Sequence, residues 1–336
     1  LTLIALLGLS DPLREAVLGA LSECRSAGIE PVMLTGDHPD TARYIGAELG
    51  LASDPEAAIT GAQLRKLSDD ELAARLDHVR IFARMDPTQK IRIVEALQER
   101  GEFVAMTGDG VNDAPALKQA SIGVAMGERG TDVAREAADM VLLDDNFATI
   151  VTAVREGRRV YDNIRKFIRY TLTSNAGEIW VLLVAPLLGL PIPLLPIQIL
   201  WVNLVTDGLP GLAFAGERAE PDVMRRPPRP PRESVFARGM WQHIVAIGVV
   251  VAGVSLATAL FTEPESEAYW RTMVFTTLVM AQLAQALAVR SEVASLAEIG
   301  VFSNRFLIGA IAATVAVQVA AIYLPAANTF LKTVPL

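Results

Sequence analysis

Two patterns of apolar and polar positions divide the chain. Up to about residue 160, short apolar runs alternate with amphipathic stretches. The run at 29–34 ends at Thr35-Gly36-Asp37 and predicts a strand, followed by a helix over 40–49. Further strands are predicted at 79–83, 103–106, 122–126 and 140–143, with a helix over 89–98. The acidic stretch 52–77 reads as a helical surface excursion, and the run Leu3-Ile4-Ala5-Leu6-Leu7 as a strand entered mid-domain. Strands of four to six residues alternating with helices predict a parallel α/β sheet, with its sites at the carboxyl ends of the strands.

Beyond Phe167 the grammar changes. Apolar stretches occur at 167–190, 194–215, 244–261, 273–289 and 306–324, near the roughly 20 residues that a spanning helix needs. The last three carry no Asp, Glu, Lys or Arg, whereas Glu178 and Asp207 interrupt the first two. Hydrophobic residues make up 51% of the chain and mean hydropathy is +0.35. Arg165, Lys166 and Arg169 precede the first stretch, and Arg218, Arg225, Arg226, Arg229, Arg232 and Arg238 follow the second. Glu263, Glu265 and Glu267 follow the third. The positive-inside rule makes the α/β half and the Arg-rich loop cytoplasmic. The net charge of −8 comes without a nucleic-acid-binding basic block, and a single cysteine, Cys24, rules out an internal disulfide.

Three predicted strand ends carry candidate chemistry. Thr35-Gly36-Asp37 offers a hydroxyl and backbone donors to a phosphate. Lys90, in Asp86-Pro87-Thr88-Gln89-Lys90, brings a compact cation to a helix start. Asp109, in Met106-Thr107-Gly108-Asp109-Gly110-Val111-Asn112-Asp113-Ala114-Pro115-Ala116-Leu117, offers a hard oxygen ligand suited to Mg²⁺. Thr-Gly-Asp alone is more often a turn, and a lone Lys is usually just solvated. The long Gly-rich run leaves little room for chance.

That run resembles the magnesium-binding hinge of P-type cation-pumping ATPases of the calcium-pump kind. The resemblance extends through Asp11-Pro12-Leu13-Arg14, Thr35-Gly36-Asp37, the Asp86-to-Lys90 segment and Asp144-Asp145-Asn146-Phe147, and on into the apolar half. It implies a haloacid-dehalogenase-like, Rossmann-type α/β fold, the C-terminal part of a phosphorylation domain, over 1–160. An all-α transmembrane bundle over 161–336 would hold five spans like the family's fifth to ninth. It implies that Thr35 and Lys90 contact the phosphoryl group with Gly36 and Asp37, that Asp109 binds Mg²⁺, and that Asn112 and Asp113 support phosphate and metal. ATP and Mg²⁺ would serve the complete protein. The family's Asp-Lys-Thr-Gly-Thr nucleophile motif and Thr-Gly-Glu-Ser loop do not occur in this sequence. The expectation is therefore a C-terminal segment, inactive alone, whose partner is the N-terminal part of the same pump.

Within the apolar half, Asn175 and Glu178 are spaced i, i+3, and Asn203, Thr206 and Asp207 i, i+3, i+4, so each set shares a helical face. Pooled, these oxygen donors suit a cation such as Ca²⁺, and Pro186 and Pro210 could free further backbone carbonyls. The bland alternative is interhelical hydrogen bonding by a protonated acid. The resemblance favours ion ligands in the family's fifth and sixth spans, and aligns Gln282 with a Glu ligand of the eighth. Glutamine adds no charge, which favours one ion per cycle. Ca²⁺ and Mn²⁺ both accept this set. A membrane-tethered phosphatase fits less well, lacking a nucleophile motif and leaving Glu178 and Asp207 unexplained; a non-catalytic pump remnant stays open. A bacterial host would place the protein in the plasma membrane.

Overall fold

The computed structural model describes residues 13–51, 57–261 and 266–336. The expected strand within Leu3–Leu7, the Asp11-Pro12 pair, and Glu263 and Glu265 lie outside these residues. The chain divides into two units, Leu1–Arg155 with Asp222–Arg232, and Glu156–Pro221 with Glu233–Leu336.

In the first unit, helix α1 (Glu15–Ser26) precedes strand β1 (Met33–Leu34), and α2 (Pro39–Glu48) follows. Next come β2 (Ala58–Thr60), α3 (Gly61–Leu64), α4 (Asp69–Arg75), β3 (Ile81–Ala83) and α5 (Pro87–Glu99). Then follow β4 (Ala105–Gly108), a 3₁₀ turn (Val111–Asp113), α6 (Ala114–Gln119), β5 (Ile122–Met126), α7 (Asp132–Ala137) and β6 (Met140–Leu142). All strand pairs are parallel, in two three-stranded sheets ordered β1-β3-β2 and β4-β5-β6. Ile81, Phe82 and Ala83 are all buried, as a central parallel strand covered on both faces requires. Leu34 packs in the clusters of both sheets, against Phe82 and Ile93 and against Met106 and Leu117.

The stretch 52–77 is not a surface excursion over its described residues. Ala58–Thr60 adds a strand beside β3, and Leu64, Leu72 and Leu76 are buried in its core. Three β residues bounded by helices are too short to show an alternating pattern. The strand expected at 29–34 is confined to Met33–Leu34.

Helix α8 runs unbroken from Phe147 to Leu187, starting well before the apolar stretch predicted from 167. It is followed by α9 (Pro196–Trp201), a π-helix (Val202–Thr206), α10 (Gly208–Ala213), α11 (Met240–Phe261) and α12 (Glu267–Ala288). The short α13 (Leu296–Ile299), α14 (Arg305–Tyr323) and α15 (Pro325–Leu331) complete the second unit. Its core joins Val181 and Ala185 of α8 to Val251 and Leu256 of α11 and to Val274, Phe275 and Leu278 of α12. Among the described residues, three helical stretches are long and apolar enough to cross a membrane: Pro196–Gly216, Met240–Thr258 and Arg305–Tyr323. Outward-facing Leu204, Leu212, Val250, Phe261 and Phe306 leave apolar surface that lipid would cover. The apolar stretches predicted at 167–190 and 273–289 run past the ends of α8 and α12, and polar residues such as Glu178, Gln282 and Gln285 lower their hydropathy.

Candidate functional site

Two constellations form, one in each unit. In the first, β1 ends in the turn Thr35-Gly36-Asp37. Thr35 Oγ1 donates to Asp37 Oδ2 at 2.9 Å, and the Asp37 N–H donates to Thr35 Oγ1 at 3.1 Å. The turn is tied to the end of β3 by Met85 N–H donating to Thr35 O and Arg84 N–H donating to Asp37 O, both at 3.1 Å. Directly after that tie, Asp86 caps α5 reciprocally with Gln89, and Pro87 fits the first turn, where no N–H is needed. The cap sets Lys90 one turn into the helix.

Lys90 Nζ donates to Asp113 Oδ1 at 2.6 Å, and the Gly110 N–H donates to Asp113 Oδ2 at 3.2 Å. Both side chains of the ion pair are nearly buried, 13% and 12% exposed. Gly108 makes this approach possible, because a Cβ there would lie 2.5 Å from Asp113 Cβ. Asp109 and Asn112 remain exposed beside the pair, and the Asp109 carbonyl is fixed by the Thr131 N–H at 2.9 Å. Among the described residues no three His, Cys, Asp or Glu cluster tightly enough to hold a metal alone. The donor set here is two carboxylates, one exposed and one pinned, which fits an ion that keeps several waters, as Mg²⁺ does. After β6, Asp144 accepts from Thr149 Oγ1 at 2.6 Å and from the Asn146 N–H at 3.1 Å, bonds that hold its carboxyl below the usual range.

The second constellation lies in the helical unit. Glu178 of α8 is 4% exposed, and its two oxygens accept from Asn203 Nδ2 at 3.3 Å and from Gln282 Nε2 at 3.2 Å. One carboxylate thus ties α8, the π-helix and α12. Asp207, 3% exposed, has no hydrogen-bond partner on either oxygen, and neither has the buried Oγ1 of Thr206, Oγ of Ser174 or Oε1 of Gln282. Asn175 is half-buried and takes no part in this network.

The shared face expected of Asn203, Thr206 and Asp207 needs correcting. Residues 202–206 wind as a π-helix, with Asp207 N–H donating to Val202 O at 2.9 Å, so the α-helical spacing rule does not hold. Asn203 is accordingly exposed while Thr206 and Asp207 are buried. Among the prolines, Pro210 matters most. It has no N–H for Thr206 O, four residues back, and Tyr170 Oη donates to that carbonyl at 2.9 Å instead. Tyr170 and Ser174 were not singled out from the sequence, although Tyr170, Ser174 and Glu178 recur every four residues on one face of α8.

Comparison with known proteins agrees with both halves. Residues 1–121 match the haloacid dehalogenase-like hydrolases, and residues 191–336 match the family described as "Cation transporting ATPase, C-terminus". A calcium-transporting ATPase of Bacillus subtilis is 49% identical over 99% of this chain and 38% of its own length. The chain belongs to the P-type cation-transporting ATPases. Calcium-transporting ATPases of Bacillus cereus and Listeria monocytogenes are similar to it at 46% and 45% identity, over 98% and 93% of the chain and 39% and 35% of their own lengths. The chain thus spans well under half the length of these ATPases. Family and apolar helices together make it a membrane protein.

Proposed function

We propose that the protein carrying this chain is an ATP-driven Ca²⁺ pump working through an aspartyl-phosphate cycle, and that this chain supplies its metal and phosphoryl contacts and most of its ion-binding residues. The observation that carries the reading is the buried oxygen set at Glu178, Asp207, Thr206, Ser174 and Gln282, several of whose atoms have no partner in the protein. Buried carboxylates in apolar helices are unfavourable unless something neutralises them. An oxygen-rich set with two carboxylates suits Ca²⁺. The names of the calcium-transporting relatives point the same way.

In the α/β unit, Thr35 and Lys90 are assigned to the phosphoryl oxygens, with the backbone of Gly36 and the side chain of Asp37 shaping the turn. Asp109 and Asp113 would hold Mg²⁺, with Asn112 in support; the ion supplies charge neutralisation at the transferred phosphoryl group. Lys90 and Gly110 hold Asp113 aimed before substrate arrives. The helical half is assigned as a multi-pass bundle with residues 1–160 on the cytoplasmic side, in the plasma membrane of a bacterial host. Gln282, which donates to Glu178 but adds no charge, favours one ion per cycle.

The test is Asp207→Asn in the pump that carries this chain. Ca²⁺-activated phosphorylation from ATP should be lost, while phosphorylation from inorganic phosphate, which needs only the α/β site, should survive. Phosphoenzyme formed against free Ca²⁺, with Mn²⁺ in parallel, is the readout. A Ca²⁺ dependence unchanged from wild type would remove the ion-site assignment.

A further inference from the structure

A second cluster in the helical unit has the opposite charge and no role in the reading above. Arg165, within α8, is 1% exposed. One of its terminal nitrogens lies 3.3 Å from Ala237 O and 3.6 Å from Glu292 Oε1. Its Nε and other terminal nitrogen are buried without a partner. One turn on, Arg169 donates to the same Glu292 oxygen at 2.5 Å, and its Nε is likewise buried and unpartnered. His243 of α11 lies within electrostatic reach of both Arg169 and Glu292, and its Nε2 is buried and unpartnered as well. Neighbouring Lys166 does not compete for Glu292, because it pairs with Glu220 at 2.7 Å.

Two guanidiniums therefore draw on one carboxylate, and three buried guanidinium nitrogens, with His243 Nε2, face no partner. A buried guanidinium keeps its charge, so the imbalance cannot be relieved by proton loss. The remedy that chemistry allows is an anion with several acceptor oxygens, for which forked guanidinium donors are well suited. We propose that Arg165, Arg169 and His243 form a binding site for a phosphate-type anion at the head of α11, the phosphodiester of an anionic lipid headgroup or free phosphate. Arg165 and Arg169 stand at the start of the apolar part of α8, and His243 lies in the first turn of the apolar Met240–Thr258 stretch. Headgroup phosphates are found at such helix ends, and the negative leaflet surface concentrates them near basic residues.

The test puts the chain in phosphatidylcholine nanodiscs with and without phosphatidylglycerol, and separately in phosphatidylcholine with added inorganic phosphate. Thermal unfolding and lipid retention in native mass spectrometry are followed. Wild type should be stabilised by phosphatidylglycerol, by phosphate, or by both, and the effective arm identifies the source. Arg165→Gln and Arg169→Gln should weaken the apparent affinity by about tenfold or more, since each removes charge-assisted hydrogen bonds. Arg305→Gln, at an exposed arginine, should leave it unchanged. Glu292→Gln should tighten it, because the competing carboxylate is gone; a purely structural ion pair would not respond in that direction. If Arg165→Gln does not fold, Arg169→Gln, His243→Gln and Glu292→Gln carry the test. The site is overturned if neither anion shifts wild type, or if Arg305→Gln loses as much affinity as the cluster variants.

Discussion

The buried pair Glu217–Arg290 offers a test of how the loops of the helical unit are held. Glu217 is 3% exposed and Arg290 1%. Arg290 Nε and a terminal nitrogen donate to the two Glu217 oxygens at 3.1 and 3.0 Å, and Asn304 Nδ2 adds a third bond at 2.9 Å. The Glu217 carbonyl accepts from Asn163 at 2.9 Å and from Arg159 at 3.1 Å, so the residue joins α8 to the ends of α12 and α14. Glu217→Gln leaves one carbonyl oxygen for three donors and turns an NH₂ towards the guanidinium. Arg290→Met strands a buried carboxylate. Breaking such a pair from one side costs about 3–5 kcal/mol, whereas Glu217→Leu with Arg290→Met should recover most of the loss. Asp69→Asn, which removes the 84% exposed partner of Arg92 and leaves Arg92 bonded to Leu64 O and Leu67 O, is the control, at about 0–1 kcal/mol. Burial alone would raise the Glu217 carboxyl, but bonds from Arg290 and Asn304 and the charges of Arg290 and Lys166 outweigh it and hold the group below the usual carboxylate range. Ionised Glu217 therefore stabilises the fold above its unfolded value of about 4.3, and that contribution drains away as the pH falls through the lower folded value. Thermal unfolding of wild type, Glu217→Leu, Arg290→Met and the double variant against pH gives the coupling, with Glu217→Gln measured beside them. A single-variant cost no larger than the control, or a double variant losing the sum of both singles, would refute the reasoning.

Gly108→Ala should destabilise the α/β unit by about 1–3 kcal/mol, because its Cβ would collide with Asp113 and either shift that side chain from Lys90 or displace β4; faster amide exchange along β4 and β5 is the expected signature. Tyr170→Phe should cost about 1–3 kcal/mol in thermal stability by leaving the Thr206 carbonyl buried without a donor, and an unchanged melting temperature would mean that another group serves it.

The sequence shows most of the α/β strands because each ends at a punctuating residue, Thr35 or Gly108 for example, and because buried parallel strands are short apolar runs. β2 was missed since Ala58-Ile59-Thr60 is too short to carry a period, and α8 was begun too late since Arg155, Arg158, Arg159 and Arg165 broke the apolar pattern without breaking the helix. In the candidate sites the residues were legible and their pairings were not. Lys90 and Asp113 meet only because Gly108 leaves room, and Glu178 finds Gln282 across 104 positions of sequence. The π-winding was invisible to a rule that assumes 3.6 residues per turn, although Gly208 and Pro210 mark the segment as irregular.

The hydrogen bonds around the two buried carboxylates decide which is the informative one to change. Glu178 already receives two amide N–H donors, so the protein itself compensates part of its burial. Neither Asp207 oxygen accepts a bond of good geometry, although Ser174 and Tyr170 lie close to it; the Tyr170 proton goes to Thr206 O, which has no N–H from Pro210. The Asn203 amide goes to Glu178, and Asp207 is left without such a bond. A buried carboxylate in that state is neutralised by a proton or by a metal cation. Removing its charge should therefore leave the protein folded while abolishing any response to the ion, and this separation of stability from ion dependence makes Asp207 the decisive position in the proposed pump.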